Sequence, residues 1–211
     1  IGEASAMYLA YPEAATRIRE ALPDARIIII LRQPADRAYS SFQHMRRDGR
    51  EPEESFERAL ELEATRIEQQ WHPIWHYTRL SSYPELLKPY VQTFPAEQLR
   101  IVTFDDLVRR PHELMQELTA FLGVDPAWSF DFSEQHNPSG VPRSMWLQKY
   151  LNRSTPIKSL VKHAFPQPVR EQMVRYAKTR NLNPAPKFDP EARSRLTRTF
   201  HDEISTLETL L

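Results

Sequence analysis

Five consecutive residues, Ile27-Ile28-Ile29-Ile30-Leu31, constrain this chain more than any other stretch. A short run of β-branched and leucine side chains has no polar face to offer water. It fits a strand buried on both faces, as in a parallel sheet covered by helices. The run stops at Arg32-Gln33-Pro34. Proline disfavours helix at the residue before it and suits a first helical turn. The pattern therefore predicts a strand, a tight turn, and a helix with Asp36 near its start that carries Ala38, Tyr39 and Phe42. In such a unit ligands sit beyond the carboxyl end of the sheet. Arg32 falls at that edge and Ser40 lies one to two turns along the helix. A guanidinium fork with a hydroxyl makes a good clamp for a phosphate.

The rest of the chain supplies a setting for this unit. Its 211 residues suffice for one large or two small domains with a proper core. With 28 basic residues against 28 acidic ones, no global field draws it to nucleic acid or to a membrane surface. There is no cysteine, which excludes disulfides, thiol catalysis and Cys-ligated metal. A cysteine-free chain fits a reducing compartment, so a cytoplasmic location is the expectation. No apolar run approaches membrane-spanning length. Four glycines are few for an α/β nucleotide binder, whose phosphate loops are usually glycine-rich.

Residues Ile1 to Leu9 read as the tail of a strand and a loop, and Tyr11-Pro12 opens a helix to about Leu22. Beyond Ser40 the helix runs into Arg46-Arg47-Asp48-Gly49-Arg50, with Gly49 as its stop. Those arginines fit either the lining of a ligand cleft or a solvated helix end. Glu53 to Gln70 has the pattern of one amphipathic helix, and Tyr83 to Val91 that of a short helix bent or broken by Pro89. Leu99 to Phe104 is a second strand, followed by a helix from Pro111 to Leu122 that Gly123 ends. Phe130 to Arg143 carries the turn chemistry of a loop. Helices are expected over Met145 to Leu151, Ile157 to Phe165 and Val169 to Asn181. Pro184 to Pro190 reads as a rigid connector. A last helix, Pro190 to Leu211, places Leu196, Phe200, Ile204, Leu207 and Leu211 on one stripe. His72 and His76 could ligate a metal, but Pro73 interrupts a regular helix between them and no carboxylate completes a set.

The segment Arg32-Gln-Pro-x-x-Arg37-x-x-Ser40 resembles the 3′-phosphate-binding segment of the sulfotransferases, which use 3′-phosphoadenosine 5′-phosphosulfate (PAPS). The resemblance implies that Arg32 and Ser40 grip the donor's 3′-phosphate. Gly2-Glu3-x-Ser5-x-x-Tyr8 is similar to the Glu-Lys-Ser/Thr segment of the heparan-type sulfotransferases and their bacterial relatives. This implies Glu3 as the general base, although Ala4 replaces the common lysine and Ala6 a common proline. A carboxylate is apt there, because a hydroxyl or amine must lose its proton as it attacks sulfur. The order Phe94-Pro95-x-Glu97-Gln98, strand, Asp106-Leu107, Pro111, helix, Phe121-Leu122-Gly123 resembles the central stretch of the same family. Loops comparable to Phe130–Arg143 close over the nucleotide and supply a basic residue, which implies Arg143. The Arg-Lys-Gly signature of cytosolic members is absent.

The resemblance implies an α/β fold: a parallel β-sheet flanked by helices, similar to P-loop kinases, with a helical C-terminal half and residues 1–211 as a single sulfotransferase domain. It implies PAPS as co-substrate, no metal, and a small-molecule, lipid or carbohydrate acceptor whose hydroxyl, less readily an amine, takes the sulfuryl group. His44 and His136 are further candidates for the site, each with a plain packing role as the other reading. The family also carries a 5′-phosphosulfate loop similar to Pro-Lys-x-Gly-Thr-Thr, which these residues lack. An upstream segment is therefore expected, and the chain is expected to be part of a larger polypeptide. The alternative is a catalytically inactive sulfotransferase-like module that binds a nucleotide or a partner.

Overall fold

The computed structural model describes residues 1–125, 128, 130–132, 140–144, 169, 172, 176, 180–184 and 186–210. The chain opens without regular structure. Ser5 then accepts a hydrogen bond from the Met7 amide and caps a 3-10 turn, Ala6–Ala10, where a strand tail was expected. Helix α1 (Glu13–Ala21) leads to strand β1 (Ile27–Leu31), and Pro34 opens helix α2 (Pro34–Arg47). Short helices α3 (Phe56–Glu61) and α4 (Glu63–Glu68) follow, then 3-10 turns at Pro73–Trp75 and Arg79–Ser81 and helix α5 (Tyr83–Thr93). Strand β2 (Leu99–Thr103) runs parallel to β1 with Ile27 opposite Leu99 and Leu31 opposite Thr103. Helices α6 (Phe104–Arg109) and α7 (Pro111–Leu122) come next, the latter ended by Gly123 at φ 70°, the left-handed conformation that glycine adopts without cost. Farther on, strands β3 (Gly140–Pro142) and β4 (Leu182–Pro184) pair antiparallel, and helices α8 (Pro190–Thr199) and α9 (His201–Leu210) close the described chain.

The α/β class expected from the isoleucine run is the class observed. Alternation along β1 divides its side chains between two faces. Ile29 and Leu31 are buried against Ala15, Tyr83, Leu87, Tyr90 and Phe94, so α1 and α5 cover that face. Ile28 packs on the other face against Val102, Leu114 and Leu118. Ile30, however, is 48% exposed, so β1 is not buried on both faces as its composition predicts. Among the described residues, the cover on that side reaches Ile28 and stops short of the strand's last turn toward the site.

Several helix boundaries depart from the expectation. Glu53–Gln70 is two helices, because the chain turns at Leu62 and brings Glu63 inward, where it accepts from the Thr78 amide and hydroxyl and the Arg79 amide. Tyr83–Thr93 runs through Pro89 unbroken, held by buried Tyr83, Leu87 and Tyr90 on one face. The C-terminal stripe is also two helices, parted at Phe200, whose ring is buried at the elbow. One helix follows α2 and the other α5, and a straight rod could not do both. The Phe130–Arg143 loop contains strand β3, which lies against α2. The helices expected over Met145–Leu151 and Ile157–Phe165 fall outside the described residues.

Candidate functional site

The β1–α2 turn carries the site. Gln33 caps α2, its side-chain oxygen accepting from the Asp36 amide at 2.9 Å, and Pro34 occupies the first helical position, where its missing N–H costs nothing. Asp36 sits in the first turn, where a carboxylate complements the helix dipole. Arg32 is thereby left at the carboxyl edge of the sheet. Its backbone is bracketed by one phenol: the Arg32 amide donates to Tyr83 Oη at 3.2 Å, and the Tyr83 hydroxyl donates to the Arg32 carbonyl at 2.8 Å. Tyr83 is 5% exposed, and burial raises its pKa, so the proton needed for that bond stays in place.

The Arg32 guanidinium lies over the Phe104 ring, 5.0 Å from its centroid. Phe104 begins α6 at the end of β2, so the two parallel strands deliver the cation and its aromatic platform to one edge. Arg32 enters no ion pair among the described residues, so its charge is available to an anion. Ser40 stands half-buried in the second turn of α2, and its hydroxyl has no partner among the described residues. These two are the residues that sequence reasoning assigned to a phosphate, and one strand–turn–helix unit carries both. Arg37, between them, has a different task. Burial lowers its pKa, and it donates through Nε to Ser81 Oγ and through Nη2 to the Tyr77 carbonyl, both at 2.7 Å. It ties α2 to the segment before α5.

Arg143 follows β3 directly. Its amide donates to the Asn181 carbonyl at 2.6 Å and its Nε to Asn183 Oδ1 at 2.8 Å, so the β4 segment holds both the backbone and the guanidinium edge of the arginine. Because β3 lies against α2, the structure brings the elements of Arg143 and Ser40 side by side. Glu3 is exposed and accepts a short hydrogen bond from the Tyr8 hydroxyl, which raises the Tyr8 pKa. Leu9, in the same turn as Tyr8, packs on the cluster containing Leu31 and Tyr83. The Glu3 segment is thus anchored to the core that backs Arg32.

The histidines behave differently. His44 is exposed, with Nε2 3.4 Å from Asp48 and Nδ1 2.8 Å from Arg47 Nη2, an arrangement internal to the end of α2. His72 uses Nδ1 to accept from the Ile74 amide, and His76 is buried, with burial lowering its pKa. Among the described residues no group of His, Asp and Glu is assembled to hold a metal ion. His136 lies outside the described residues. Sequence reasoning missed Tyr83, which holds the Arg32 backbone, and Phe104, whose ring lies beneath its guanidinium. Their only signal is position: each stands first in a helix, and neither carries chemistry that marks it as part of a site.

A family model described as "Sulfotransferase family" matches residues 8–129, the stretch that holds β1, the Arg32 turn and α2. A bifunctional heparan sulfate N-deacetylase/N-sulfotransferase 4 from Mus musculus is 30% identical over 156 residues, covering 69% of this chain and 17% of that protein. Its Drosophila melanogaster counterpart is 30% identical over 136 residues, covering 59% of this chain and 12% of that protein. The membrane-associated sulfotransferase kil1 of Dictyostelium discoideum is 23% identical, with 73% of this chain and 50% of that protein covered. The crystal structure of a sulfotransferase from Alicyclobacillus acidocaldarius is 30% identical and superposes with a TM-score of 0.71, covering 99% of this chain and 63% of that one. The chain thus spans a small part of the heparan relatives, half of the amoebal one and under two thirds of the bacterial one. The family model's match to more than half of the chain, together with a fold shared with a solved relative 30% identical to it, places this chain in the sulfotransferase family.

Proposed function

We propose that the chain transfers a sulfuryl group from PAPS to a hydroxyl of a small-molecule, lipid or carbohydrate acceptor and releases 3′-phosphoadenosine 5′-phosphate. The observation that carries this reading is the Arg32 guanidinium, which lies over the Phe104 ring on a backbone held by Tyr83 and is paired with no carboxylate among the described residues. Arg32 and Ser40 hold the donor's 3′-phosphate, charge against charge and hydroxyl against oxygen. Arg143 joins them from the end of β3, beside α2. The Glu3 carboxylate takes the proton of the acceptor hydroxyl as its oxygen attacks sulfur in line. One S–O bond forms, the S–O bond to the donor's 5′-phosphate breaks, and the nucleotide leaves with the electron pair. No metal takes part in this scheme.

A second reading of the acceptor has its own support. Relatives whose names describe N-sulfotransferases act on nitrogen, which favours an amine as the acceptor atom. Transfer from sulfur-35-labelled PAPS to a panel of sugar amines, sugar alcohols, phenols and lipid alcohols separates the two. Glu3→Gln is expected to lower kcat by about 100-fold or more while leaving the donor KM unchanged. A Glu3→Gln enzyme with full kcat removes Glu3 from catalysis, and donor binding with no transfer to any acceptor supports the inactive module.

A further inference from the structure

Helix α8 has no part in the scheme above, yet two of its side chains end on the first turn of α2. Arg193 sets its guanidinium edge against Asp36, with Nε to Oδ1 at 2.7 Å and Nη2 to Oδ2 at 2.8 Å. Thr197, one turn on, accepts from Gln33 Nε2 at 3.0 Å. Residues four apart share a helix face, so both contacts come from one side of α8. Both ends of the Gln33 amide are engaged: its oxygen caps α2 at the Asp36 amide and its NH2 group donates to Thr197 of α8. The residue before it, Arg32, has its backbone pinned by Tyr83. The segment from 32 to 36 is therefore held on one side by α5 and on the other by α8.

We propose that α8 is a clamp for the donor site, with Arg193 and Thr197 as positioning residues that fix the turn at Gln33 and so the geometry at which Arg32 and Ser40 meet the 3′-phosphate. This rests on the reading that Arg32 and Ser40 bind that phosphate. The fork geometry of the Arg193–Asp36 pair lends the fold some stability, but with side chains 47% and 25% exposed solvent screens much of that contribution. Orientation is a stricter demand, since small misplacements of binding groups weaken a charge-assisted contact steeply.

The test is calorimetry on the full chain with 3′-phosphoadenosine 5′-phosphate and, separately, adenosine 5′-phosphate. Arg193→Ala and Thr197→Val are each expected to weaken the bisphosphate by about three- to tenfold, leaving the monophosphate affinity and the thermal midpoint near wild type. Arg193→Lys, which keeps the charge and loses the fork, recovers part of the loss. Equal weakening of both nucleotides, or of neither, overturns the clamp. Thr197→Val removes a single hydroxyl and carries the test if Arg193→Ala does not fold. Arg32→Ala separates the two levels of the argument. If it leaves the preference for the bisphosphate intact, the donor reading itself fails. If it abolishes the preference and the α8 variants do not, the clamp alone is wrong.

Discussion

A guanidinium beside an aromatic ring can be oriented without being neutralised, and that is the state of Arg32 over Phe104. An ion pair would hold the side chain as firmly but would have to break before an anion could bind. Phe104→Leu is therefore expected to weaken 3′-phosphoadenosine 5′-phosphate by about two- to fivefold in a titration, with little change in thermal midpoint. Unchanged affinity would show that the ring does not orient the arginine. His76 gives a second prediction at this scale. It is 4% exposed, its Nε2 has no hydrogen-bond partner among the described residues, and burial holds its pKa below the ordinary 6.5. The unfolded chain then binds more protons than the folded one in the window just below pH 6.5, so stability falls as pH drops through it and levels off below the folded pKa. Thermal midpoints between pH 8 and 5 should show a decline that His76→Gln flattens; identical slopes would contradict this. Arg32 and Ser40 were legible in the sequence as candidates, because type and spacing sit within one stretch of nine residues. Tyr83 and Phe104 were not, because their roles exist only once distant segments meet.

At the scale of elements, a buried polar cluster fixes the segment between α2 and α5. Glu51 accepts from Arg66 Nη1 at 3.0 Å and Nη2 at 2.7 Å, and from the Tyr77 hydroxyl, with all three side chains almost wholly buried. Burial and the neighbouring carboxylate raise the Tyr77 pKa, which keeps its proton on the bond. Removing one partner of such a set leaves a charge uncompensated in the interior. Glu51→Ala should accordingly lower unfolding free energy by about 3–5 kcal/mol in urea denaturation. A loss below about 1 kcal/mol would mean that Arg66 finds water or another partner. Apolar periodicity located most elements in this region but not their breaks. Phe200 continues its helical stripe in the sequence, and no glycine or proline marks a stop at Leu62. The chain turns at them because Glu63 has distant amides to satisfy and because α8 and α9 pack on different helices.

For the whole molecule, the isoleucine run announced the sheet, and the unit that follows it proved to be the place where β2, β3 and helix α8 converge. What the run could not disclose was the difference between its faces, since a strand with one half-open face has the same composition as one sealed on both. The contact of α8 with the Arg32 turn was likewise invisible, because it joins Gln33 and Asp36 to residues at the far end of the chain. The claim on which the account rests is that Arg32 and Ser40 read a 3′-phosphate, and its most direct measurement is the ratio of dissociation constants for adenosine 5′-phosphate and 3′-phosphoadenosine 5′-phosphate. The wild-type chain should prefer the bisphosphate by about ten- to a hundredfold, a preference that Arg32→Ala removes and Ser40→Ala reduces. A wild-type ratio near one, or a ratio that survives Arg32→Ala, would contradict it.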